Sequence, residues 1–492
     1  MAALQPAFAG GLLTNTNQNI AFNRNFARDG VIGIDGVYSN PAGVAFLSKG
    51  FHLSLNIQNV YQTRTIESGI TVPSLQGTPY YQPFKLNGGN EEGVKRFKGR
   101  ASVPVFPTFQ AALNYDHWGF QVGGGVVGGG GKATFNDGLG SFERTIAMVP
   151  ALLASQGIPA TGYSVNSYIA GQQYVLGLQF GATYKFNEHF AVYGGARFNY
   201  VWNKYEGNIT GISATINGTN ENLYDYFSEK ATQAAQMAAN YKLLAAENAS
   251  NPTVQAQYQA AATQYEAAAD KLTQTRTQFA DRYLESTQNG WGFTPIIGAD
   301  YKGNGWNIGA RLEFNTHLNI ENNTKRDDTG LFKDGVNTPS DLPGLLTIGA
   351  SYDVLKNWRV MGGWHYYFDK NARMANDKQK LLESNTQEYL FGTEVDIAKE
   401  LTLSAGGQIT SYGLGDGAFL NDMSFVTSSY SIGFGAKFKV AKNMAVNVAY
   451  FFTDYTHKDK AYKASIQGVE VQNTDRFTRT NKVLGVGLDI DF

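Results

Sequence analysis

The chain has 492 residues, a formal charge of -1 and no cysteine. That balance offers no basic surface for nucleic acid, and the missing thiols exclude disulfides, thiol catalysis and cysteine-based metal sites. No run approaches the roughly 18 apolar residues of a transmembrane helix, while 28 Tyr, 31 Phe and 56 Gly beside only 16% charged residues point to many strands with glycine at crowded positions.

At the N-terminus, Ala7-Phe8-Ala9 has the small-x-small pattern of a signal-peptidase site. Residues 1–9 are therefore expected to be a residual export signal or tail, with the mature chain starting near Gly10. Residues 10–49 do not alternate as a membrane strand does, and they carry Asn23, Arg24, Asn25, Arg28, Asp29 and Asp35. Such a segment cannot face lipid without stranding backbone groups. It is expected to be a plug, or hatch, inside a barrel formed by residues 50–492.

From residue 50 onward, alternation dominates. Between 168 and 186, one face carries Tyr174, Leu176, Leu178, Phe180, Ala182, Tyr184 and Phe186, and the other Gln173, Val175, Gly177, Gln179, Gly181, Thr183 and Lys185. Successive side chains leave opposite faces of a strand, so this is a strand with one apolar and one polar or small face. Similar stretches lie near 50–66, 101–116, 119–135, 168–186, 189–207, 289–302, 306–321, 343–354, 358–370, 386–398, 401–412, 425–440, 444–457 and 476–492, fourteen in all. Their connections alternate between a few residues and long loops. This predicts an all-β, antiparallel transmembrane barrel of about fourteen strands, with short turns in the periplasm and long loops outside the cell. Trp118, Tyr184, Phe186, Tyr301, Trp306 and Trp358 cluster beside the short turns, where an interfacial aromatic girdle belongs.

Two stretches interrupt the alternation. Strand three reads Gly123, Gly124, Gly125, Val126, Val127, Gly128, Gly129, Gly130, Gly131, and glycine in a strand marks a kink, a bulge or a close approach. It is therefore either an opening in the wall or a close seat for the plug. A phosphate loop is excluded, because Ala133 follows Gly131-Lys132 where Ser or Thr is required. Within an insertion spanning 211–287, residues 221–286 switch to helical spacing, with stripes through Leu223, Phe227, Ala234, Met237 and Tyr241 and through Val254, Tyr258, Ala261, Tyr265 and Leu272. Asn251-Pro252 between them supplies a helix cap and first position. The prediction is an extracellular helical hairpin, serving as a lid, a ligand-capturing surface, a partner-binding prong or a simple shield of the mouth.

Gly10-Gly11-Leu12 leading to Asn40-Pro41-Ala42 just before strand one, Gly290-Trp291-Gly292-Phe293-Thr294-Pro295 opening strand six, and the fourteen-strand layout ending in Phe492 together resemble the FadL/TodX-type outer-membrane transporters of hydrophobic compounds. The likeness spans the chain except the helical insertion. It implies a hatch-plugged barrel through which a ligand, such as a long-chain fatty acid, passes from an outer groove to an inner pocket. It also implies a sideways exit at a kinked third strand (Gly123–Gly125 and Gly128–Gly131 here), and entry of Leu12 into the pocket. Phe492 resembles the recognition signal of the outer-membrane assembly machinery.

Inward positions carry charge: Arg197 on strand five, Arg311, Glu313 and His317 on strand seven, Arg359 and His365 on strand nine, Glu388, Glu394 and Asp396 on strand ten. Since guanidinium binds carboxylate bidentately, Arg197 and Arg311 are candidates for a ligand headgroup, with lumen ion pairs as the alternative. Leu12, Leu13, Phe106 and Ile296 are candidates for the apolar tail. Neither a G-x-S-x-G elbow nor H-E-x-x-H occurs, and none of the six histidines is spaced as a metal ligand with another. No enzyme activity, cofactor or metal is expected. The expected partners are a hydrophobic ligand, outer-membrane lipid and lipopolysaccharide, and the barrel is expected to be a monomer. A general or structural porin is the alternative, followed by a surface-adhesion barrel.

Overall fold

The computed structural model describes residues 14–492. The expectations for the segment 1–9, for the start at Gly10 and for Leu12 and Leu13 lie outside the described residues. Period-2 patterning over long stretches yields fourteen antiparallel staves. They are β1 (Gly50–Thr71), β2 (Val94–Asn114), β3 (Trp118–Phe135), β4 (Ala160–Lys185), β5 (Phe190–Ile216), β6 (Arg282–Lys302), β7 (Trp306–Glu313), β8 (Leu345–Leu355), β9 (Trp358–Tyr367), β10 (Ser384–Ala398), β11 (Leu401–Gly413), β12 (Ser429–Ala441), β13 (Met444–Tyr455) and β14 (Val469–Asp491). Shorter segments extend four of them: Thr219–Asn222 folds back on β5, Asn319–Asp327 continues β7, Asn337–Pro339 precedes β8 and Lys458–Ile466 continues β13. β1 pairs with β14 from His52 opposite Asp491 to Thr71 opposite Gln472, which closes the sheet. Closure removes both sheet edges.

The side-chain distribution is inverted relative to a soluble sheet. Leu176, Leu178 and Phe180 of β4 are exposed on the outside, while Gln179 between them and Thr183 beyond are buried inside. The pattern recurs with Leu55 and Ile57 over Asn56, and with Leu484 and Val486 flanking Gly485. An apolar exterior over a polar interior is the arrangement of a barrel spanning a hydrocarbon layer. At the short-turn rim, Tyr115, Trp118, Phe186, Phe190, Tyr301, Trp306, Tyr352 and Trp358 project outward as an aromatic belt.

The long loops close the other end. α2 (Gly140–Ala147) and α3 (Val149–Ser155), with helical turns at 369–371 and 375–381, pack apolar side chains over the mouth. Sequence patterning missed these short helices. Phe135, Leu139, Phe332, Leu382, Phe419, Phe425 and Phe477 form one cluster there. Asp341 pins the loops. Burial alone would raise its pKa, but bonds from Arg373 Nε (3.0 Å), His317 Nδ1 (2.9 Å) and the Leu318 N–H (3.1 Å) outweigh that and hold the carboxyl below its usual range. His317, expected inside the lumen, lies in the interruption of β7 at 314–318 with its side chain largely exposed.

The helical insertion is shorter than 211–287, because β5 runs on to Ile216 and β6 begins at Arg282. Asn222 and Asn251 cap α4 (Leu223–Glu247) and α5 (Pro252–Thr277) by accepting from Asp225 N and Val254 N. The hairpin is rooted by Leu223, Phe227 and Phe279 in a buried cluster of the loops. Farther out, Tyr241 stacks on Tyr265 with centroids 5.5 Å apart. Among the described residues, no helix is long and apolar enough to cross a membrane.

Candidate functional site

The plug sits where the non-alternating polar segment was expected, inside the barrel. Gln18, Asn19, Asn23, Arg24, Asn25, Arg28, Asp29, Asp35 and Asn40 are all buried. Buried charges persist only with partners, and the wall supplies them. Arg24 Nη1 lies 2.6 Å from Glu394 Oε1, and Arg28 bridges Asp35 (2.7 Å) and Glu394 (3.2 Å). His365 stands between Asp29 of the plug (2.9 Å) and Glu388 of β10 (2.8 Å). In α1 (Ile20–Arg24), Asn19 caps the helix by accepting from Ala21 N and also donates to Ser54 and Gln110 on the wall.

The Asn40-Pro41-Ala42 element locks the lower plug. Asn40 Nδ2 donates to Asp300 Oδ2 (2.6 Å), Asn307 donates to the same oxygen (2.8 Å), and Gln121 donates to the Pro41 carbonyl (2.8 Å). Ile296 packs against Ala42 and Tyr193. That places the residue expected to meet a ligand tail in this plug–wall contact.

Arg197 and Arg311 are also engaged. Arg197 pairs with Glu313, and Arg311 donates to the Tyr38 carbonyl with Glu313 at 3.5 Å. Both guanidiniums lie over the Tyr38 ring, at 5.7 and 4.9 Å from its centroid. The alternative reading, a lumen ion pair, describes them. A ligand headgroup would have to displace Glu313, leaving that carboxylate buried and unpaired.

The third strand breaks the wall. β2 and β3 pair from Gly99 to Ser102 and again from Phe109 to Asn114, but 103–108 of β2 and 125–131 of β3 have no mutual register. Gly129, Gly130 and Gly131 have φ of 70°, 120° and 79°, a region that glycine alone enters without strain. The pairing of β3 with β4 also slips at Val126 and again after Gly129. Carbonyls freed from β2 are not left unsatisfied. The plug covers them: Asn15 N donates to Val127 O (2.8 Å), Asn15 Nδ2 to Gly129 O (2.7 Å) and Gln18 Nε2 to Val126 O (2.9 Å). Gly123 and Gly125 lie on the inward face beside Val37 and Gln18 of the plug. The glycine run thus divides, with its first part seating the plug and its last part turning the strand.

β2 carries a matching signal that sequence reading passed over. Pro104 and Pro107 lack an N–H and fall within the unpaired stretch, where a proline removes no ladder bond. Phe106 lies between them, buried against the plug with Phe22, Phe26 and Val60.

Cavities flank the break on both sides. On the lipid-facing side a groove of about 1080 Å³ is lined by Pro107, Phe109, Gly124, Gly125, Leu176 and Leu178. On the lumen side a cavity of about 130 Å³ lies between the plug and the loop cap, bounded by Gly129–Gly131, Phe135, Tyr205, Tyr412, Tyr455, Arg64 and Arg479. A smaller one, about 30 Å³, adjoins Thr14 and Val127–Gly129. Among the described residues, no His, Asp and Glu group is placed to hold a metal ion.

No protein-family model matches the sequence, and no curated protein matches it. Solved structures do match. A Pseudomonas aeruginosa FadL homologue aligns over 98% of this chain and 100% of its own, with a TM-score of 0.59 at 12% identity. The chain has the FadL-type fold. A deletion mutant of the TodX monoaromatic hydrocarbon channel aligns over 96% and 99% (TM-score 0.53, 13% identity), and the P. putida toluene transporter TodX over 94% and 94% (TM-score 0.50, 13% identity).

Proposed function

We propose that this chain is a bacterial outer-membrane channel that takes up hydrophobic small molecules by passive diffusion. Long-chain fatty acids are the ligand class inherited from the resemblance. The ligand would descend through the loop cap to the lumen cavity, then leave sideways between β2 and β3. The observation that carries this reading is the interruption of the β2–β3 ladder, with a cavity on one side and an apolar groove on the other. A hydrophobic molecule gains nothing from an aqueous exit, whereas a side opening delivers it to hydrocarbon. A general porin is disfavoured because it needs an open lumen, and here the axis is filled by buried plug residues. The aligned structures supply a precedent by name, a FadL homologue and toluene transporters. The closed sheet leaves no edge to cover, so a monomer suffices, with Phe492 offered to the assembly machinery and the apolar exterior to lipid and lipopolysaccharide.

The test is uptake by intact Gram-negative cells that lack their own channel of this kind and express this chain. Radiolabelled dodecanol and dodecanoate are both supplied. Accumulation of at least one several-fold above vector-only cells is expected, and accumulation equal to that of vector-only cells for both contradicts the reading.

A further inference from the structure

On three neighbouring strands the apolar outer wall gives way to cations on the side of the long loops. On β14, Leu484 and Val486 are exposed on the outside, and the next outward residue toward the loops is Lys482. On β1 the apolar outward positions end at Tyr61, opposite Lys482, and Thr63 and Thr65 follow. On β2 they end at Val105, and beyond Ser102 the outward positions are Arg100, Lys98 and Arg96, with Phe97, Gly99 and Ala101 buried between them. The register that closes the barrel gathers these residues into one patch. Arg100 lies level with Thr63 and Thr480, Lys98 with Thr65 and Thr478, and Glu67 falls between Arg96 and Arg476.

Only part of that charge is matched. Arg96 pairs with Glu67 (2.6 Å) and Arg476 with Asp459 (2.7 Å). Among the described residues, the exposed side chains of Lys98, Arg100 and Lys482 make no hydrogen bond or ion pair. Asp454 of β13, in register with Thr480, accepts from Tyr430 (3.0 Å) instead of pairing with Lys482. Another flank of the barrel is built differently. On β6 the outward Glu285 is matched by Lys325 (2.9 Å), and Glu321 is exposed opposite Asn289. Below the unmatched cations, on the same three strands, begins the lipid-facing groove of about 1080 Å³, with Leu55, Ile57, Pro107, Phe109, Val486 and Leu488 in its wall. From the level of Thr63 down to Ile57 is about 20 Å along the strand, the reach of a long acyl chain.

We propose that this patch is a docking site for lipopolysaccharide of the outer leaflet, with the phosphorylated disaccharide of its lipid A on Lys98, Arg100 and Lys482 and an acyl chain in the groove below. Phosphate takes charge-assisted bonds from lysine and, bidentately, from arginine. The threonine hydroxyls of β1 and β14 between the cations face the sugar. Arg100 and Lys482 stand two strands apart, roughly 10 Å, so they meet phosphates at the two ends of a disaccharide. A lipid held there lies beside the β2–β3 break. The site requires only the outer-membrane location and is read by binding, so it stands or falls separately from the uptake reading.

The test is native mass spectrometry of the full chain in an uncharged detergent, freed of co-purified lipid and titrated with diphosphorylated lipid A. Wild type is compared with the triple variant Lys98→Gln, Arg100→Gln, Lys482→Gln, and with Lys325→Gln as a control on the other flank. All four positions are exposed, and the mobility shift on unheated gels checks that each variant is folded. Wild type is expected to hold lipid A at least about tenfold more tightly than the triple variant, the range of one charge-assisted bond, and Lys325→Gln is expected to match wild type. Lipid A stripped of both phosphates is expected to bind wild type about as weakly as the intact lipid binds the triple variant. Equal affinity of wild type and triple variant overturns the site, as does equal affinity of wild type for the phosphorylated and stripped lipids. Displacement of lipid A by inorganic phosphate at the same concentration would mark a bare anion site and overturns the role of the groove.

Discussion

Gly309 and Gly362 show how single residues decide whether the plug fits. A Cβ on Gly309 would collide with the backbone carbonyl of Asp29, which cannot swing away as a side chain could. Gly362 faces outward, and the nearest atom to its would-be Cβ, Leu390 O, lies 3.9 Å away. Gly309→Ala is therefore expected to destabilise by about 1–3 kcal/mol, the cost of overpacking, while Gly362→Ala is neutral or stabilising by about 0.5–1 kcal/mol through its strand preference. Urea titration read by the mobility shift of folded barrel on unheated gels orders the variants, and equal midpoints would mean that the plug does not press on Gly309. Individual residues were also where the sequence was hardest to read. An inward arginine can be recognised by parity, but its partner cannot. Arg197 and Glu313 are 116 positions apart and meet only through the register of the closed sheet. Among the described residues Arg64 and Arg479 have no carboxylate partner, and Arg479 donates instead to Gln62 of the same sheet, so the parity that singled out Arg197 and Arg311 could not tell ion-paired cations from the others.

Strands were the readable units, because alternation and turn length are local. All fourteen staves lie where the pattern put them, with ends shifted by extensions above the membrane belt such as 94–100 of β2 and 208–216 of β5. The interruption of β7 was not legible, since 314–318 does not break the apolar rhythm of its neighbours. The break at β3 was half legible: seven glycines announced it, but the two prolines on β2 that make the opposite edge tolerable passed unremarked. In the hairpin, the helices pack on each other, and among the described residues their base meets the loops through Leu223, Phe227 and Leu272, beside Phe279. Replacing 232–269 with a short turn should leave the barrel folding and its urea midpoint within about 0.5 kcal/mol of wild type, as expected for a change away from the core. A barrel that no longer shifts on unheated gels would show that the hairpin supports the fold rather than standing on it.

Plug, wall and cap make one argument when taken together. A fourteen-strand barrel is wide enough to need filling, and this one is filled by a segment whose charges and amides are matched to inward glycines and acids. Between β2 and β3 the ladder is interrupted, and plug amides bond carbonyls of the broken strand there. The proposed exit of the ligand lies there. Because the chain contains no cysteine, one engineered pair can be read without background. A Cβ on Gly125 would lie 3.2 Å from Thr108 Cβ across the gap, just under the roughly 3.5–4.5 Å of disulfide-linked residues. Thr108→Cys with Gly125→Cys should therefore staple β2 to β3. The decisive measurement is dodecanoate uptake by cells expressing this double variant, oxidised and then reduced. Uptake that falls toward vector-only cells on oxidation and recovers with reductant is the predicted result, and uptake equal in the two states would contradict the lateral exit.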